Sequence, residues 1–339
     1  MKKILLRLAK VLASLIGLLV VVYIILYLIT SGEYKVSKTV AQDSSIPHIT
    51  LNDVTFHAET FGSDTNQVVI ILHGGPGNDF RYLLDLKKLS NNYFVAFYDQ
   101  RGTGLSPRVP AEELTKENMI EDLHSIVEYY GKGNKVNIIG HSWGGLLGSA
   151  YLGRYPETVN KIVLAEPGPL TPERAKQFAT KSQPDLSWEL LTHVTKSYFR
   201  SLHVEKIDDQ ARSDYFYTAF ATDTTVSNHP LAGYFCNQDV SKADFQYWRW
   251  NGTTSYEIMM KGMQGDMLTM NFVKGVENYK EKILFLAGQC NILIGPKFQE
   301  EQIKLFHNTQ MAIIPDAGHF MFSEQPEKCI EVIDTYFKE

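Results

Sequence analysis

The sequence predicts an α/β fold: a mainly parallel, doubly wound sheet that carries a helical cap insertion and is preceded by a transmembrane helix. Short segments of nearly continuous apolar character alternate with segments of helical periodicity. Such strands are typical of a sheet that helices cover on both faces, and the alternation indicates parallel strands. An aromatic-rich stretch from 168 to 278 interrupts this order with helical sequence. With 339 residues, the chain is long enough for one such domain with an insertion.

The N-terminus has a different composition from the rest. Four basic residues within the first ten precede an apolar run at 11–29, and no acidic residue occurs before Glu33. A helix of this length covers roughly 28 Å, enough to cross a hydrocarbon core. A cleaved signal peptide is the alternative, but its apolar core is usually only ~7–15 residues long. We expect a single-pass anchor in the cell membrane, with a cytoplasmic N-terminus and the following domain outside.

Charge composition and cysteine spacing restrict the ligands and partners that we expect the chain to bind. The net charge is −5, and no basic stripe marks the body of the chain, so we expect no nucleic acid. The three cysteines fit no zinc spacing, and we expect no metal and no cofactor, although one disulfide pair remains possible. We divide the chain into a basic flank and anchor (1–30), a polar stalk (31–45), a first core part (46–167), a helical cap (168–278) and a second core part (279–339).

The predicted elements follow from these patterns. Alternation around an Asn-Asp turn at 48–60 predicts an antiparallel hairpin at a sheet edge. Buried strands are predicted at 68–72, 94–98, 136–139, 162–165, 283–287 and 311–314. Helices are predicted at 80–89, 119–130, 145–155, 297–306 and 327–337.

The stretch Gly-His-Ser-Trp-Gly at 140–144 is the strongest indication of chemistry. It follows a predicted strand and opens a predicted helix, which is the setting that a Gly-x-Ser-x-Gly elbow requires. A sharp turn there exposes the serine hydroxyl above the sheet. Ser142 is therefore the predicted nucleophile.

Two further turns supply the other groups that such a nucleophile needs. The Gly-rich turn at 73–77 ends a strand, so the backbone N–H groups of Gly75 and Trp143 could form an oxyanion hole. His319 follows the last strand and is the last histidine of the chain. A general base has this place in chain order, and we predict that role for His319.

These motifs together resemble the proline iminopeptidase branch of the α/β hydrolases, the serine aminopeptidases. The resemblance covers roughly 48–339 and is carried by His-Gly-Gly-Pro-Gly at 73–77, Asp-Gln-Arg-Gly-x-Gly-x-Ser at 99–106, the elbow, and Gly-His at 318–319. It implies the α/β-hydrolase fold and aminopeptidase activity on short peptides. From the residues themselves, Asp99 and Arg101 are predicted to form a buried ion pair that braces their loop.

The chain departs from that family at the triad acid. The resemblance places the acid after the penultimate strand, where this sequence has Asn291. An amide can accept a hydrogen bond but cannot stabilise an imidazolium, and loss of the carboxylate costs ~10⁴ in turnover. Glu166, at the end of the preceding strand, is the alternative acid. A salt bridge within a loop or with the cap is the other role of Glu166, and the sequence favours the two roles equally.

A second departure lies in the cap. The segment Trp-Arg-Trp-Asn-Gly at 248–252 resembles the family's Trp-Glu-Gly segment, with Asn251 in the place of the glutamate that helps bind the substrate's amine. Glu257 could compensate for the lost charge. Trp250 and neighbouring aromatic residues could line an apolar pocket.

Three functions follow from these observations. The first is a membrane-anchored serine hydrolase acting on small molecules or short peptides, with aminopeptidase activity as the specific expectation from the resemblance. The second is an esterase or acylhydrolase, which the altered amine site favours. The third is a catalytically weakened hydrolase fold that serves as a binding protein, which Asn291 suggests.

Overall fold

A computed structural model describes residues 2–181, 187–224, 229–242, 245–260 and 271–339. Its centre is an eight-stranded sheet in the order β1-β2-β4-β3-β5-β6-β7-β8. The strands are β1 His48–Leu51, β2 Val54–Phe61, β3 Val68–Leu72, β4 Phe94–Tyr98, β5 Val136–His141, β6 Val159–Ala165, β7 Ile283–Gly288 and β8 Thr309–Ile314.

The strand pairing confirms the predicted topology. β1 and β2 form the edge hairpin, and β2 pairs antiparallel with β4. Asn52 and Asp53 connect the hairpin with φ values of +48° and +63°, as a two-residue turn with positive φ at both positions requires. All pairs from β4 to β8 are parallel. The carboxyl ends of these strands therefore meet at one edge of the sheet.

Helices cover both faces of this sheet. In chain order the helices are α1 Lys2–Ile29, α2 Lys116–Gly131, α3 Trp143–Arg154, α4 Pro172–Lys181, α5 Trp188–Ser201, α6 Ala211–Thr222, α7 Gly252–Ser255, α8 Pro296–Gln302, α9 Met321–Glu324 and α10 Pro326–Lys338. Of these, α1 precedes the domain and α4 to α7 belong to the cap. The helix predicted at 80–89 is a 3₁₀ helix, Arg81–Asn91, whose buried Leu83, Leu86 and Leu89 recur every third residue as that tighter helix demands. The helix predicted at 297–306 also becomes 3₁₀, at Ile303–Leu305.

The core has two layers because successive strand residues face opposite ways. In β3, Ile70 and Leu72 pack with α2 and α3 on one side, whereas Val69 and Ile71 pack with the 3₁₀ helix and α10 on the other. All five residues of β3 are buried. The continuous apolar character of this strand thus reflects burial on both faces.

The cap is helical in the ranges of 168–278 that the structure describes, and it contains no strand there. A disulfide between Cys236 and Cys290 joins it to the loop after β7, whereas Cys329 is a buried free thiol. The pair that the sequence left open therefore connects the cap to the edge of the sheet where the strands end.

Residues 31–45 do not form a free-standing stalk, contrary to the sequence prediction. Thr39 and Val40 are buried, and the Val40 N–H donates to the Leu105 carbonyl at 2.9 Å. The buried Arg249 of the cap donates to the Ser37 carbonyl at 3.1 Å. These hydrogen bonds and buried side chains hold the segment against the domain.

Helix α1 is the one helix of the described residues that is long and apolar enough to cross a membrane, a test that a signal sequence would also pass. Its last turns contact the cap. The Tyr23 ring lies 5.2 Å from that of Phe199 in α5, and the Tyr27 ring lies 4.2 Å from that of His203. The earlier part of α1 is exposed on all sides.

Candidate active site

The turn between β5 and α3 holds Ser142 in a conformation that few residues adopt. Its φ is +54° and its ψ is −115°, and its N–H donates to the Ala165 carbonyl at 3.0 Å. A Cβ at position 140 would collide with the carbonyl of Gly144, and one at position 144 would collide with that of Leu72. The turn therefore requires both glycines, and it raises Ser142 above the sheet edge.

Glu166 and His319 meet beside this turn. Glu166 directly follows β6, and its Oε2 lies 2.7 Å from His319 Nδ1. The ring of His141, next to Ser142 in sequence, lies 4.5 Å from the His319 ring. Within the described residues no hydrogen bond joins the Ser142 hydroxyl to His319; proton transfer between the two side chains would require them to approach each other when a substrate binds.

Asn291 supports the carboxylate instead of contacting the imidazole. Its Nδ2 donates to Glu166 Oε2 at 2.6 Å, and its Oδ1 accepts from the N–H groups of Leu293 and Ile294. The Gly288 N–H donates to the other oxygen, Oε1, at 2.7 Å. One group from the last residue of β7 and one from the loop that follows therefore hold Glu166.

Burial dominates the electrostatics of this pair. It lowers the pKa of the His319 imidazole to about 3, so the ring is neutral at pH 7. Burial also raises the pKa of the Glu166 carboxyl well above its ordinary value, and the hydrogen bonds from Asn291 and Gly288 oppose that rise. Those two donors favour the ionised form, which is the form that would stabilise an imidazolium.

The backbone N–H groups predicted for an oxyanion hole belong to Gly75 and Trp143. Trp143 is the first residue of α3, where a helix leaves its N–H without an intrahelical acceptor, and Gly75 has a φ of +124°.

A chain of hydrogen bonds connects the Gly-rich turn to His319. The Gly74 N–H donates to the Tyr82 hydroxyl, which lies 2.7 Å from His141 Nδ1. His141 Nε2 then lies 2.8 Å from the carbonyl oxygen of His319. Tyr82 was not predicted as part of the site, because nothing in its local sequence distinguishes it from a core tyrosine.

The loop after β4 braces the same turns. Gln100 Nε2 donates to the His73 carbonyl at 2.9 Å, and Gln100 Oε1 accepts from the Trp143 indole at 2.9 Å. The segment at 99–106 thus supports the Gly-rich turn and the elbow through Gln100.

The predicted ion pair between Asp99 and Arg101 is wrong. Asp99 lies 2.7 Å from His57 Nδ1 and accepts from the N–H groups of Phe80 and Leu105. Arg101 forms a bidentate pair with Asp122 of α2 at 2.6 and 2.8 Å. The chain turns between the two residues, so their side chains point to different elements.

The cap segment at 250–255 is hydrogen-bonded to the Gly-rich turn at 73–77. Ser255 Oγ donates to the Pro76 carbonyl at 2.7 Å and accepts from the Trp250 indole at 2.6 Å. The Asn251 N–H donates to the Gly77 carbonyl at 2.7 Å. We call these contacts the cap latch. Trp250, predicted to line a substrate pocket, uses its polar atom within the latch.

Asn251 does not present its amide to a substrate, and the role predicted for it is wrong. The side chain is fully buried. Its Oδ1 accepts from the Thr254 N–H as the N-cap of α7, and its Nδ2 donates to Gln210 and Asp214 of the cap. Every polar atom of the amide is therefore used internally. Glu257 is half-buried in the turn Tyr256–Met260, and its role in substrate binding stays a prediction.

Comparison with known proteins places this geometry in a family. The sequence matches the family model described as alpha/beta hydrolase fold over residues 67–326. A proline iminopeptidase from Clostridium botulinum is 23% identical over 277 residues, which are 79% of this chain and 88% of that protein. Epoxide hydrolase 1 from Caenorhabditis elegans is 21% identical over 302 residues, or 85% of this chain and 69% of that protein. A higher identity, 38%, to a proline iminopeptidase from Heyndrickxia coagulans spans 100 residues, 29% of this chain and 34% of the relative.

Solved structures agree at the level of the fold. The proline iminopeptidase of Mycobacterium smegmatis superimposes with a TM-score of 0.58 at 17% identity, covering 86% of this chain and 96% of that one. A membrane phospholipase A, a bacterial virulence factor, superimposes with a TM-score of 0.60 at 16% identity, covering 100% of this chain and 98% of that one. The resemblance predicted from the motifs is confirmed.

Proposed function

The chain belongs to the α/β-hydrolase family, and we propose that it is a membrane-anchored serine hydrolase that forms an acyl-enzyme on Ser142. One observation carries the proposal: Glu166 Oε2 lies 2.7 Å from His319 Nδ1, beside the elbow that exposes the serine. The position that the family resemblance gives to the acid is occupied by the amide of Asn291, yet the imidazole still has a carboxylate partner in Glu166.

In the proposed reaction, Ser142 Oγ attacks the substrate's carbonyl carbon while His319 Nε2 takes the hydroxyl proton. Glu166 holds the Nδ1–H and stabilises the imidazolium that forms. The N–H groups of Gly75 and Trp143 bind the developing oxyanion. The imidazolium then protonates the leaving group, and a water molecule activated by His319 hydrolyses the acyl-enzyme.

Carboxylic esters are the substrate class that the cap favours. The family's amine-binding glutamate is replaced by Asn251, whose amide is consumed inside the cap, so no charge at that position would hold a substrate's free amine. Ester cleavage needs no such anchor.

Aminopeptidase activity on short peptides is the second candidate. The proline iminopeptidase relatives and the half-buried Glu257 speak for it. A free amine could be bound by a carboxylate elsewhere in the cap, and Glu257 is the residue that we would test first.

The two substrate classes are separable with the purified full chain in detergent. A fluorophosphonate probe should label the wild type and leave Ser142→Ala unlabelled. Hydrolysis of a short-chain acyl ester but not of prolyl-naphthylamide would support the esterase. Cleavage of the prolyl amide that falls in Glu257→Gln would support the aminopeptidase. A folded chain that the probe does not label would instead favour the binding-protein hypothesis.

The anchor belongs to the same proposal. We place the N-terminus in the cytoplasm and the hydrolase domain outside because a basic flank precedes the apolar helix. The disulfide Cys236–Cys290 supports this, since such bonds persist in oxidising compartments. The contact of Tyr23 with Phe199 supports retention of the helix in the mature protein. Protease treatment of intact cells should degrade the domain, and N-terminal mass spectrometry should find residues 2–29 still attached.

A further inference from the structure

Tyr234 of the cap lies against the imidazole of His319. The centroids of the two rings are 4.5 Å apart, and the ring planes are inclined by only 26°. Two rings lying side by side in one plane could not approach so closely, so the face of the phenol ring covers a face of the imidazole. The structure therefore places an aromatic face on the group that takes the proton in the proposed reaction.

Backbone and ring contacts hold Tyr234 in this place. Its carbonyl accepts from the His319 N–H at 2.7 Å. A Cβ at Gly318 would lie only 2.1 Å from the same carbonyl oxygen, so the two segments pack backbone to backbone. The neighbouring rings of Phe235 and Phe320 are stacked with centroids 5.2 Å apart. The cap segment is thus attached to the loop that carries the imidazole.

The loop after β7 also holds this segment of the cap. The Ile292 N–H donates to the Gly233 carbonyl at 3.0 Å, and Cys290 forms the disulfide with Cys236. These two links lie one residue before Tyr234 and two residues after it. Movement of the phenol ring away from the imidazole would therefore require both links to move.

The contact matters most when the imidazole becomes charged. Burial lowers the pKa of His319 to about 3, so the ring is neutral at rest and gains a positive charge only when it takes the Ser142 proton. The face of an aromatic ring attracts a cation that lies within about 6 Å of its centroid. The contact with Tyr234 is therefore more favourable for the imidazolium than for the neutral ring. An interaction that strengthens as the charge develops lowers the barrier.

We propose that Tyr234 is a positioning residue whose aromatic face stabilises the imidazolium of His319 during acyl transfer. The inference rests on the proposed function, because it assigns a part in the same proton transfer. It attributes the effect to the ring face and not to the hydroxyl, so phenylalanine at this position should serve equally well.

Other titratable groups also lie next to the imidazole or its loop. Glu166 pairs with Nδ1, and the ring of His141 lies 4.5 Å away. Burial lowers the pKa of His141 well below its ordinary value, so that ring stays neutral. Glu324 of α9 accepts from the Gly318 N–H. These groups are common to all variants in which only Tyr234 is changed, so a series at that position isolates the effect of its ring.

The test replaces Tyr234 by phenylalanine and by mono-, di- and trifluorinated phenylalanine in the full chain. Fluorine withdraws electron density from the ring face and changes the shape of the side chain little. The measured quantity is the rate at which a fluorophosphonate probe labels Ser142, because this reaction uses the same proton transfer. Tyr234→Phe should be labelled at the wild-type rate. The rate should then fall with each added fluorine, by about 3- to 10-fold over the series.

The pH dependence of the labelling rate separates this role from simple packing. The rate falls at low pH as His319 becomes protonated, and the ring of Tyr234 raises the pKa of the imidazole. The midpoint should therefore move to lower pH along the series, by about 0.5 to 1 unit in total. A ring that only fills space would leave the midpoint unchanged.

The outcomes distinguish this inference from the proposed function. Equal rates and midpoints across the series, with the wild type labelled, would overturn the role of Tyr234 and leave the proposed function intact. A loss in Tyr234→Phe without further loss on fluorination would assign the effect to the hydroxyl and contradict the inference. A folded wild type that the probe does not label would overturn both.

Discussion

The edge of the sheet and the cap both position polar groups, but the two regions differ in how far apart in sequence the determining residues are. At the sheet edge, the positions of Ser142, Glu166 and His319 depend on where strands end, and strand ends follow from local sequence. In the cap, the side chains of Asn251 and Ser255 donate to partners distant in sequence. Motifs therefore indicate the positions of the proposed reacting groups, whereas the positions of polar atoms in the cap depend on its tertiary packing.

The same difference in sequence separation is found among the groups that hold the site residues in place. The loop at 288–291 holds Glu166 through a backbone N–H and an amide, both close to the end of β7. The cap latch holds the turn at 73–77 from a segment about 180 residues away. If this comparison is right, changes at the sheet edge should abolish chemistry, while changes in the latch should weaken it.

The largest effect is expected at the nucleophile. Ser142→Ala removes the attacking oxygen and should lower kcat for an acyl ester by about 10⁴-fold or more. Ser125→Ala, on helix α2, is the matched control and should retain full turnover. Comparable residual activity in the two variants would mean that another residue attacks.

A carboxylate at position 291 separates the two candidate acids. Asn291→Asp places a second negative charge where an amide now donates at 2.6 Å to Glu166. The charges should repel and disturb the pair with His319, so we expect kcat to fall by about 10- to 100-fold. Activity that rises in this variant would restore the family's acid position and contradict the role of Glu166.

A smaller effect is expected from the cap latch. Ser255→Ala removes the hydroxyl that joins Trp250 to the Pro76 carbonyl, which loosens the turn carrying Gly75. Because one oxyanion donor would be less well placed, kcat should fall by about 10-fold with little change in KM. Ser213→Ala, elsewhere in the cap, is the control. A lower melting temperature with unchanged kcat would limit the latch to a structural role.

The smallest effect concerns stability and pH. Burial alone would lower the pKa of His57, but the charge of Asp99, 2.7 Å away, and that of Glu59 raise it to about 9, against 6.5 in the unfolded chain. The folded state therefore binds the proton more tightly, and this stabilisation is complete below pH 6.5 and lost as the pH rises through 9. The direction of this pH dependence follows from the linkage between proton binding and folding.

Urea unfolding of the wild type and of His57→Gln at pH 6 and pH 9.5 checks this expectation. The free energy of unfolding should fall with rising pH more steeply in the wild type than in the variant. Parallel pH dependence would show that the pair does not titrate in this range.

Much of the fold was predictable because its determinants are local. Apolar runs such as Val68–Leu72 mark strands buried on both faces, and the turn residues Asn52 and Asp53 mark the hairpin. The Gly-x-Ser-x-Gly motif between a predicted strand and a predicted helix indicated the elbow, and the structure shows the steric need for the glycines at 140 and 144. The partner of Asp99 was missed because His57 lies 42 residues earlier, on a neighbouring strand.

The residues that support the site were less predictable. An asparagine after a strand can cap a turn, accept a hydrogen bond from an imidazole or donate one to a carboxylate. Asn291 donates to a carboxylate because Glu166 lies beside it, and the sequence pattern does not reveal that placement. The latch depends on a hydroxyl of the cap reaching a carbonyl of the core. Such pairs have no spacing that a sequence pattern could reveal.

The central claim is that Glu166, and not the residue at 291, serves as the acid of the site. The direct test is the ratio of kcat between Asn291→Ala and Glu166→Gln on the same ester, with both variants verified as folded. We predict a large ratio, because Glu166→Gln should lose about 10⁴-fold, as other triads do without their carboxylate. Asn291→Ala removes one charge-assisted hydrogen bond and should lose about 10- to 100-fold. Equal or reversed losses would contradict the account.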